Sequence, residues 1–307
     1  VKIDTDFNYK KKMIQSDYHH QGASDKIFLF VGHFDHPAQV NDGLSGCIVA
    51  YEVIKRLKGK KTRFSYRAFS SVEIVGSAHY LDDEISNSGN IREAIFLAFS
   101  GISSPIVYQQ SYHKKSLLDR IVVFLMQFFQ SKSENIFGHR EIVGNDENIF
   151  DSVGYEISCG TIMRSPFKEY HTELDNMNIT SKDRLEEVID ICLQIVEIIE
   201  ENYYFSLVNA GMPCLSNPEI DLYLSPDLIS GTKDNAKHDL EQFSWKGTDN
   251  EKKYLDKNAC LINQLMQNIL RLANGKYTLL YLAEKSKIPF GFVLMYAKLL
   301  QKKEIIV

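Results

Sequence analysis

Three continuous apolar runs limit most strongly the fold that this chain can adopt. They are KIFLFVGH (26–33), TRFSYRAFS (62–70) and AIFLAFSG (94–101), and each leads into a polar turn. A half-exposed strand alternates apolar and polar residues, whereas a strand that is buried on both faces does not. The runs therefore predict the inner strands of a parallel sheet that is covered on both sides.

Helical patterns lie between and after these runs. LSGCIVAYEVIKRLK (44–58), SLLDRIVVFLMQFFQS (116–131) and KDRLEEVIDICLQIVEIIEENYYF (182–205) have apolar residues at helical spacing, and Ser181 is a suitable N-cap for the last. Strands that alternate with helices predict an α/β fold with a mainly parallel, mixed sheet flanked by helices.

The second half of the chain indicates a smaller domain. Residues 206–248 hold three prolines in a stretch without periodicity, which is typical of a connector. A long helix then ends near Asn274 and Gly275, and two further helices and the strand EIIV follow, in a winged-helix-like pattern. We predict a domain at 1–212 and a connector with a winged-helix-like domain at 213–307.

Composition excludes several classes of partner. The net charge of −5 is spread along the chain and no apolar run approaches 18 residues, so we expect no nucleic-acid or membrane partner. Five scattered cysteines without a CxxC motif predict reduced thiols and a cytoplasmic location. The chain starts with VKIDTDF, without Met, and we expect an N-terminal part to be missing. A homo-oligomer remains open.

Groups suited to metal chemistry follow the predicted strands, where α/β folds bind ligands. Zinc is held by imidazole and carboxylate groups with one position open to water, and a nearby carboxylate can take a proton from that water. The sequence predicts three metal ligands, a base and a carboxylate that orients an imidazole: His33, Asp42 and His171 as ligands, Glu73 as the base, and Asp35 as the orienting group.

Each of these residues has a structural alternative. Asp42 precedes GLSG and could be only a helix N-cap, and Glu73 could be an acid placed at a helix N-terminus. His36 precedes a proline, and we expect a structural or supporting role rather than a ligand. Arg164 is either structural or faces an anionic group of the substrate. Four other histidines lack supporting neighbours and are expected at the surface or in packing: His19, His20, His79 and His113.

The motifs GHFDHPAQVNDGLSG, VEIVGS, GNDENIF and EYHTELDN together resemble those of the zinc aminopeptidase clan, which includes bacterial leucyl aminopeptidase and glutamate carboxypeptidase. They resemble in particular a bacterial aminopeptidase-like subgroup with an appended winged helix, often associated with surface-polysaccharide genes. The likeness covers most of residues 1–215. It implies that His33 and His171 bind zinc, that Asp42 is the carboxylate that bridges two metals in the clan, and that Asp35 orients His33.

The chain departs from the clan in its acidic residues. Val72 stands where the clan has the first of two adjacent glutamates, and residues 94–118 contain no Asp or Glu where a further carboxylate ligand is expected. Two zinc ions need more negative charge than this. We therefore expect one zinc, held by His33, Asp42 and His171.

The resulting prediction is a zinc-dependent hydrolase of an amide bond, aminopeptidase-like, acting on a small peptide or amide. Substrate contacts are expected from Tyr170, Arg164 and Asp146. Two alternatives stay open: an amidohydrolase of a modified sugar, and a degenerate peptidase fold that binds without turnover. The helix FGFVLMYAKLL has one Lys, which predicts domain packing or dimerisation rather than DNA binding.

Overall fold

The computed structural model of the chain describes residues 10–85, 90–129, 135–223, 245–258 and 260–307. The described residues of 1–120 and 134–194 form one compact unit, and those of 121–133 and 195–307 form another. These units have other bounds than the two predicted domains, whose boundary at 212/213 stays a prediction. Part of the predicted connector, 224–244, and the last two residues of the predicted helix 116–131 lie outside the described residues.

The first unit is built on a seven-stranded sheet among the residues described. The order across the sheet is β1-β3-β2-β4-β7-β5-β6. Pairing is parallel except between β1 and β3 and between β5 and β7. This confirms the α/β class with a mostly parallel, mixed sheet. The strands are β1 (Ser16–His20), β2 (Ile27–His33), β3 (Ser65–Ser71), β4 (Ile91–Leu97), β5 (Ile106–Gln109), β6 (Ile136–Phe137) and β7 (Cys159–Arg164).

The inner strands are covered on both faces, as their apolar runs predict. All of β2 is buried. Its residues Ile27, Leu29 and Val31 belong to a core cluster that also contains Tyr80 and Phe150 from two of the helices. Another helix, α1, packs against β2 and β3. The helices that follow these strands are α1 (Leu44–Leu57), α2 (Val75–Ile85), α3 (Leu117–Phe129), α4 (Glu147–Phe150) and α5 (Lys182–Glu201).

A glycine allows α1 to start close to the sheet. A Cβ atom at Gly46 would lie 1.9 Å from the carbonyl oxygen of Leu97, the last residue of β4. No other residue type fits this approach. The first turn of α1 is therefore held at the carboxyl ends of β2 and β4, where side chains from several loops meet.

Besides most of α3 and the end of α5, the second unit contains two short strands and four further helices in its described residues. The strands pair antiparallel. The first of these four helices begins with a capping box between Thr248 and Glu251. Near the chain end, Ile306 forms a bridge with Leu207. The elements are β8 (Tyr204–Ser206), α6 (Asp249–Lys257), α7 (Cys260–Leu272), β9 (Asn274–Thr278), α8 (Leu279–Ser286) and α9 (Phe290–Lys302).

Two further findings concern thiols and membranes. All five cysteines are free, and Cys159 and Cys192 are buried whereas Cys214 and Cys260 are exposed. Within the described ranges, none of the helices combines the length and the apolar character needed to cross a bilayer.

Candidate metal centre

The topology of the first unit brings most of the predicted site residues to one edge of the sheet. His33 is the last residue of β2, and Glu73 follows β3 by two positions. Asp42 lies in the loop before α1, and Asp146 directly precedes α4. His171 lies in the loop after β7. Because parallel strands end at the same edge, residues far apart in sequence become neighbours.

His33 is fixed in position by packing on both sides of its ring. The side chain is 1% exposed, and the ring stacks on Phe96 with 7° between the planes. A Cβ atom at Gly43 would lie 2.5 Å from Nε2, so only glycine leaves room for the imidazole. Nδ1 lies 3.1 Å from Oδ1 of Asp35. A carboxylate only accepts, so in the neutral ring Nδ1 carries the proton and Nε2 keeps the lone pair that a metal needs.

Asp42 lies between two imidazoles. Its Oδ1 is 3.2 Å from Nε2 of His33, and its Oδ2 is 3.0 Å from Nε2 of His171. Burial lowers the pKa of His33, but the carboxylates of Asp42, Asp146 and Asp35 outweigh it, and the pKa lies above its usual value. The buried His33 is thus surrounded by negative charge.

The donor set fits a zinc ion. Nε2 of His33 and Oδ2 of Asp42 are buried and form no hydrogen bond of regular geometry in the part of the chain that the structure describes, although each has the close contact given above, at 3.2 Å and 3.0 Å. A buried polar atom left in that state costs about 1–3 kcal/mol. Two ligand atoms around a tetrahedral zinc lie roughly 3.3 Å apart, which is close to both nitrogen–oxygen separations at Asp42. A cation at this position would satisfy both orphaned atoms.

His36 lies closer to the cluster than we expected. Its Nδ1 is 3.2 Å from Nδ1 of His33, and its Nε2 is 3.9 Å from Oε2 of Glu73. Its ring centroid is 5.1 Å from that of His171. Among the described residues, the groups whose ligand atoms all lie within 4.8 Å of one another are His33, His36 and Asp42, and Asp35, His36 and Glu73. The predicted set of His33, Asp42 and His171 is not among these groups.

Hydrogen bonds from the backbone of Glu73 and Ile74 connect this segment to two carboxylates of the cluster. Burial raises the pKa of Asp35, but hydrogen bonds from the Glu73 backbone and from His33 outweigh it and lower that pKa overall. The next backbone N–H, that of Ile74, donates to Oδ1 of Asp146 at 3.0 Å. Burial raises the pKa of Asp146, and its Oδ2 has no partner in the described residues. Asp146 is therefore a second buried carboxylate in this cluster, after Asp42.

Tyr170 forms an aromatic wall at the edge of the site. Its ring stacks on that of His171, with centroids 3.8 Å apart, and it also contacts Phe99 and Phe167. Burial raises the pKa of Tyr170, and the charges of Asp42 and Glu73 add to this. The Tyr170 side chain is thus placed beside His171, one of the predicted ligands.

The guanidinium of Arg164 is buried and occupied by other groups, so it does not offer free donors to a substrate. The side chain is 1% exposed. Nε donates to the carbonyl of Ser100, Nη1 to that of Ser104, and Nη2 to that of Arg184 and to the carboxylate of Glu187. Through these bonds the guanidinium braces three backbone carbonyls, two in the loop after β4 and one in α5, which corresponds to the structural alternative. We leave Arg164 out of the proposed substrate site.

Replacing Arg164 with leucine is expected to lower the free energy of unfolding by about 2–4 kcal/mol, because three carbonyls lose their donor. Urea unfolding at neutral pH measures the change. Arg184→Leu is the matched control, since the Arg184 side chain is exposed and also pairs with Glu187. An exposed pair contributes at most about 1 kcal/mol. Equal losses in the two variants would contradict the bracing role.

Asp175, four residues after His171, received no role in the sequence analysis. Its carboxylate accepts the backbone N–H groups of Asn41 and Asp42 and the side-chain amide of Asn41. The spacing to His171 gives no signal of this, because the partners lie more than a hundred residues away.

Comparison with known proteins places the chain among peptidase-like folds. A curated relative from Clostridium acetobutylicum, provisionally named a polysaccharide biosynthesis protein with aminopeptidase-like domain, is 25% identical over 292 residues, which are 94% of this chain and 60% of the relative. A solved structure from the same organism, provisionally described as a peptidase, has a TM-score of 0.72 at 24% identity and covers 95% of this chain and 60% of that chain. This chain therefore spans only 60% of the length of the relatives that it matches over most of its residues.

More distant structures share the fold of the α/β region. An aminopeptidase from Aneurinibacillus sp. strain AM-1 is 18% identical, with a TM-score of 0.51 over 60% of this chain and 47% of that chain. A glutaminyl cyclase from Porphyromonas gingivalis is 16% identical, with a TM-score of 0.51 over 60% of this chain and 76% of that chain. One fold thus carries two reaction types, and the likeness alone does not assign either to this chain.

The model of one protein family covers more than half of the 307 residues. It matches residues 9–202, which include every residue of the candidate metal centre. The chain therefore belongs to the family described as a domain of unknown function (DUF4910).

Proposed function

We propose that this protein is a zinc-dependent hydrolase of an amide bond, aminopeptidase-like in fold and mechanism. The observation that carries the proposal is the pair of buried, unpartnered ligand atoms, Nε2 of His33 and Oδ2 of Asp42. A fold that kept these groups without binding a cation would be destabilised by them. The fold shared with an aminopeptidase supports the same assignment.

The proposed ligands of a single zinc are His33, Asp42 and His171. Each imidazole presents Nε2 to a different oxygen of Asp42. His36 approaches His33 at Nδ1, whereas Asp42 approaches it at Nε2, and we therefore assign His36 a supporting role. For a single ion to be bound by both His33 and His171, one of the two imidazoles has to move slightly. His171 is 50% exposed and lies on a loop, so it can move more easily than the buried His33.

When bound, zinc would polarise the substrate carbonyl and lower the pKa of the attacking water. Glu73 acts as the base: it accepts a proton from the water as the oxygen adds to the carbonyl carbon. It then delivers that proton to the nitrogen as the carbon–nitrogen bond breaks, so that an acid and an amine leave. Asp35 keeps His33 in the tautomer that binds metal. Tyr170 is the proposed substrate contact, since it lies beside this group of residues. Asp146 is 2% exposed and accepts from the backbone of Ile74, so we assign it a supporting role next to Glu73 and not the substrate contact expected from the sequence.

The proposal is tested on the purified chain by elemental analysis and by an amide panel. We expect about one zinc per chain and release of an amine from at least one substrate class. The panel contains amino-acyl amides, dipeptides and N-acylated amino sugars, because the curated relative's name includes polysaccharide biosynthesis. A peptide with an N-terminal glutamine is included to detect the reaction of a glutaminyl cyclase. Bound zinc without any turnover would support the binding-protein alternative, and two zinc ions per chain would contradict the single-ion assignment.

We also propose that the described residues 249–307 are a winged-helix-like unit that does not bind DNA. In α9, residues Phe290, Phe292, Val293, Leu294, Tyr296, Ala297 and Leu300 are buried. The exposed Lys298 pairs with Glu201 at 3.1 Å. A recognition helix needs several polar or basic side chains directed at the duplex.

A mobility-shift assay with random-sequence duplex DNA is expected to show no complex at micromolar protein and moderate salt. A control titration at low salt separates weak electrostatic attraction from a defined complex, because non-specific binding weakens steeply with salt. Sub-micromolar binding that persists at moderate salt would refute the proposal.

A further inference from the structure

Asp175 is a fully buried carboxylate without a cationic partner among the described residues. It is 0% exposed and accepts from three N–H groups: the backbone of Asn41 at 2.9 Å, the backbone of Asp42 at 2.9 Å, and the side-chain amide of Asn41 at 3.0 Å. Burying a carboxylate is expensive unless hydrogen bonds compensate for the lost water. All three of these donors belong to Asp42 itself or to Asn41, the residue before it.

The carboxylate joins two loops that are distant in sequence. Asp175 belongs to the same loop as His171, and Asn41 and Asp42 belong to the loop before α1. The loop before α1 is further held by the side chain of Asn41. Its amide oxygen accepts from the N–H of Gly101, and its amide nitrogen also donates to Thr180. The Asp42 backbone is thus anchored, and the loop of His171 is attached to that anchor.

The side chain of His171 has little other support. It is half-exposed, its backbone has a left-handed φ of 56°, and its ring contacts are with Tyr170 and His36. Nevertheless its Nε2 lies 3.0 Å from Oδ2 of Asp42. The connection through Asp175 is the buried link between the loops of these two groups.

We propose that Asp175 is a positioning residue that ties the His171 loop to the backbone of Asp42 and so preassembles the metal-binding pair. The inference rests on the proposed function for its zinc part, but not for the loop connection itself. Outer groups that orient metal ligands typically contribute about 10–100-fold to metal affinity.

The test is Asp175→Asn in the full chain, with zinc affinity measured by competition with a chelator. Asparagine has the same shape but lacks the charge, and it turns one acceptor into a donor that faces the N–H groups. We expect zinc affinity to fall about 10–100-fold. Hydrogen exchange at the Asn41 and Asp42 amides should become faster, because a single oxygen then remains to accept from both backbone N–H groups.

Asp119→Asn is the matched control. Asp119 is also a buried carboxylate of the first unit, and it accepts from Tyr108, Ser111 and Ser116. Both variants should lose stability, but only Asp175→Asn should lose zinc affinity. Equal zinc affinity in Asp175→Asn, Asp119→Asn and the parent would overturn the proposal.

Two further measurements distinguish a failure of this inference from a failure of the proposed function. If the parent binds no zinc, the proposed function fails, and hydrogen exchange decides the inference: unchanged protection of the Asn41 and Asp42 amides would refute it. If Asp175→Asn does not fold, Asp175→Glu keeps the charge and displaces the carboxylate by one methylene. A parent-like zinc affinity in Asp175→Glu, with unchanged amide protection, would then contradict the positioning role.

Discussion

Alanine at position 33 is expected to abolish zinc binding while the fold is retained. His33 supplies a buried nitrogen that has no other partner in the described residues and lies 3.2 Å from the Asp42 carboxylate. Nothing else on β2 can replace it, because the strand positions before it are apolar or glycine. Zinc content after dialysis, measured by elemental analysis with far-UV circular dichroism on the same sample, gives the result. His33→Gln is a second variant in which the side chain fills more of the space of the ring. It shows whether zinc is lost because the ligand is missing or because the protein unfolds.

Three further histidine variants test the assignment of the other ligands. His171→Ala is expected to lose zinc as His33→Ala does, because its Nε2 faces the second oxygen of Asp42. His36→Ala should retain most of it, since His36 meets His33 at the opposite side of that ring. His20→Ala is the control: His20 pairs in register with Tyr66, whereas His33 pairs with Ser71, roughly 16 Å further along β3. Loss of zinc in His36→Ala with retention in His171→Ala would reverse the assignment.

The central strands and main helices were predictable because burial on both faces leaves a strong pattern. Residues 27–31 are apolar throughout, and the structure buries all seven residues of β2. The helix predicted at 44–58 forms at Leu44–Leu57 for the same reason, since its apolar residues recur at helical spacing. The antiparallel edge strand β1, in contrast, is short and polar, and the sequence analysis did not predict it.

The proximity of several predicted site residues could be foreseen where chemistry and chain position coincide, while their roles stay predictions. His33, Asp42 and Glu73 follow strands or precede helices, so a sheet edge was enough to predict their meeting. The exact neighbours were not predictable. His36 enters the cluster only because the loop folds its ring back against His33, and Asp175 meets Asn41 through a contact between two loops that no spacing rule connects.

For Arg164 the sequence left two roles open, a structural one and a substrate contact. An arginine at the end of a strand near a cluster of acids is a reasonable substrate contact. In the structure its donors are taken by three backbone carbonyls and by Glu187. Unsatisfied carbonyls at the ends of loops have no signature in sequence, because every residue carries one.

Glu73 is the residue on which turnover depends in the proposed mechanism. It follows β3, its backbone hydrogen-bonds to Asp35, and its carboxylate lies 3.9 Å from His36 on the open side of the cluster. Unlike Asp175 and Asp146, its side chain is only half-buried, so it is accessible to water and to substrate. A residue in this position can exchange protons without any rearrangement of the core.

Replacing Glu73 with glutamine keeps the size of the side chain and removes its basicity. A base of this kind contributes about 10²–10⁴-fold to rate, so amide hydrolysis is expected to fall by that factor while zinc content and the melting temperature stay near those of the parent. The rate is measured as amine release under saturating substrate, on samples of matched zinc content. Glu52→Gln, on the surface of α1, controls for loss of a carboxylate elsewhere and should leave the rate unchanged. Loss of zinc in Glu73→Gln would make Glu73 a ligand instead, and an undiminished rate would remove it from the mechanism.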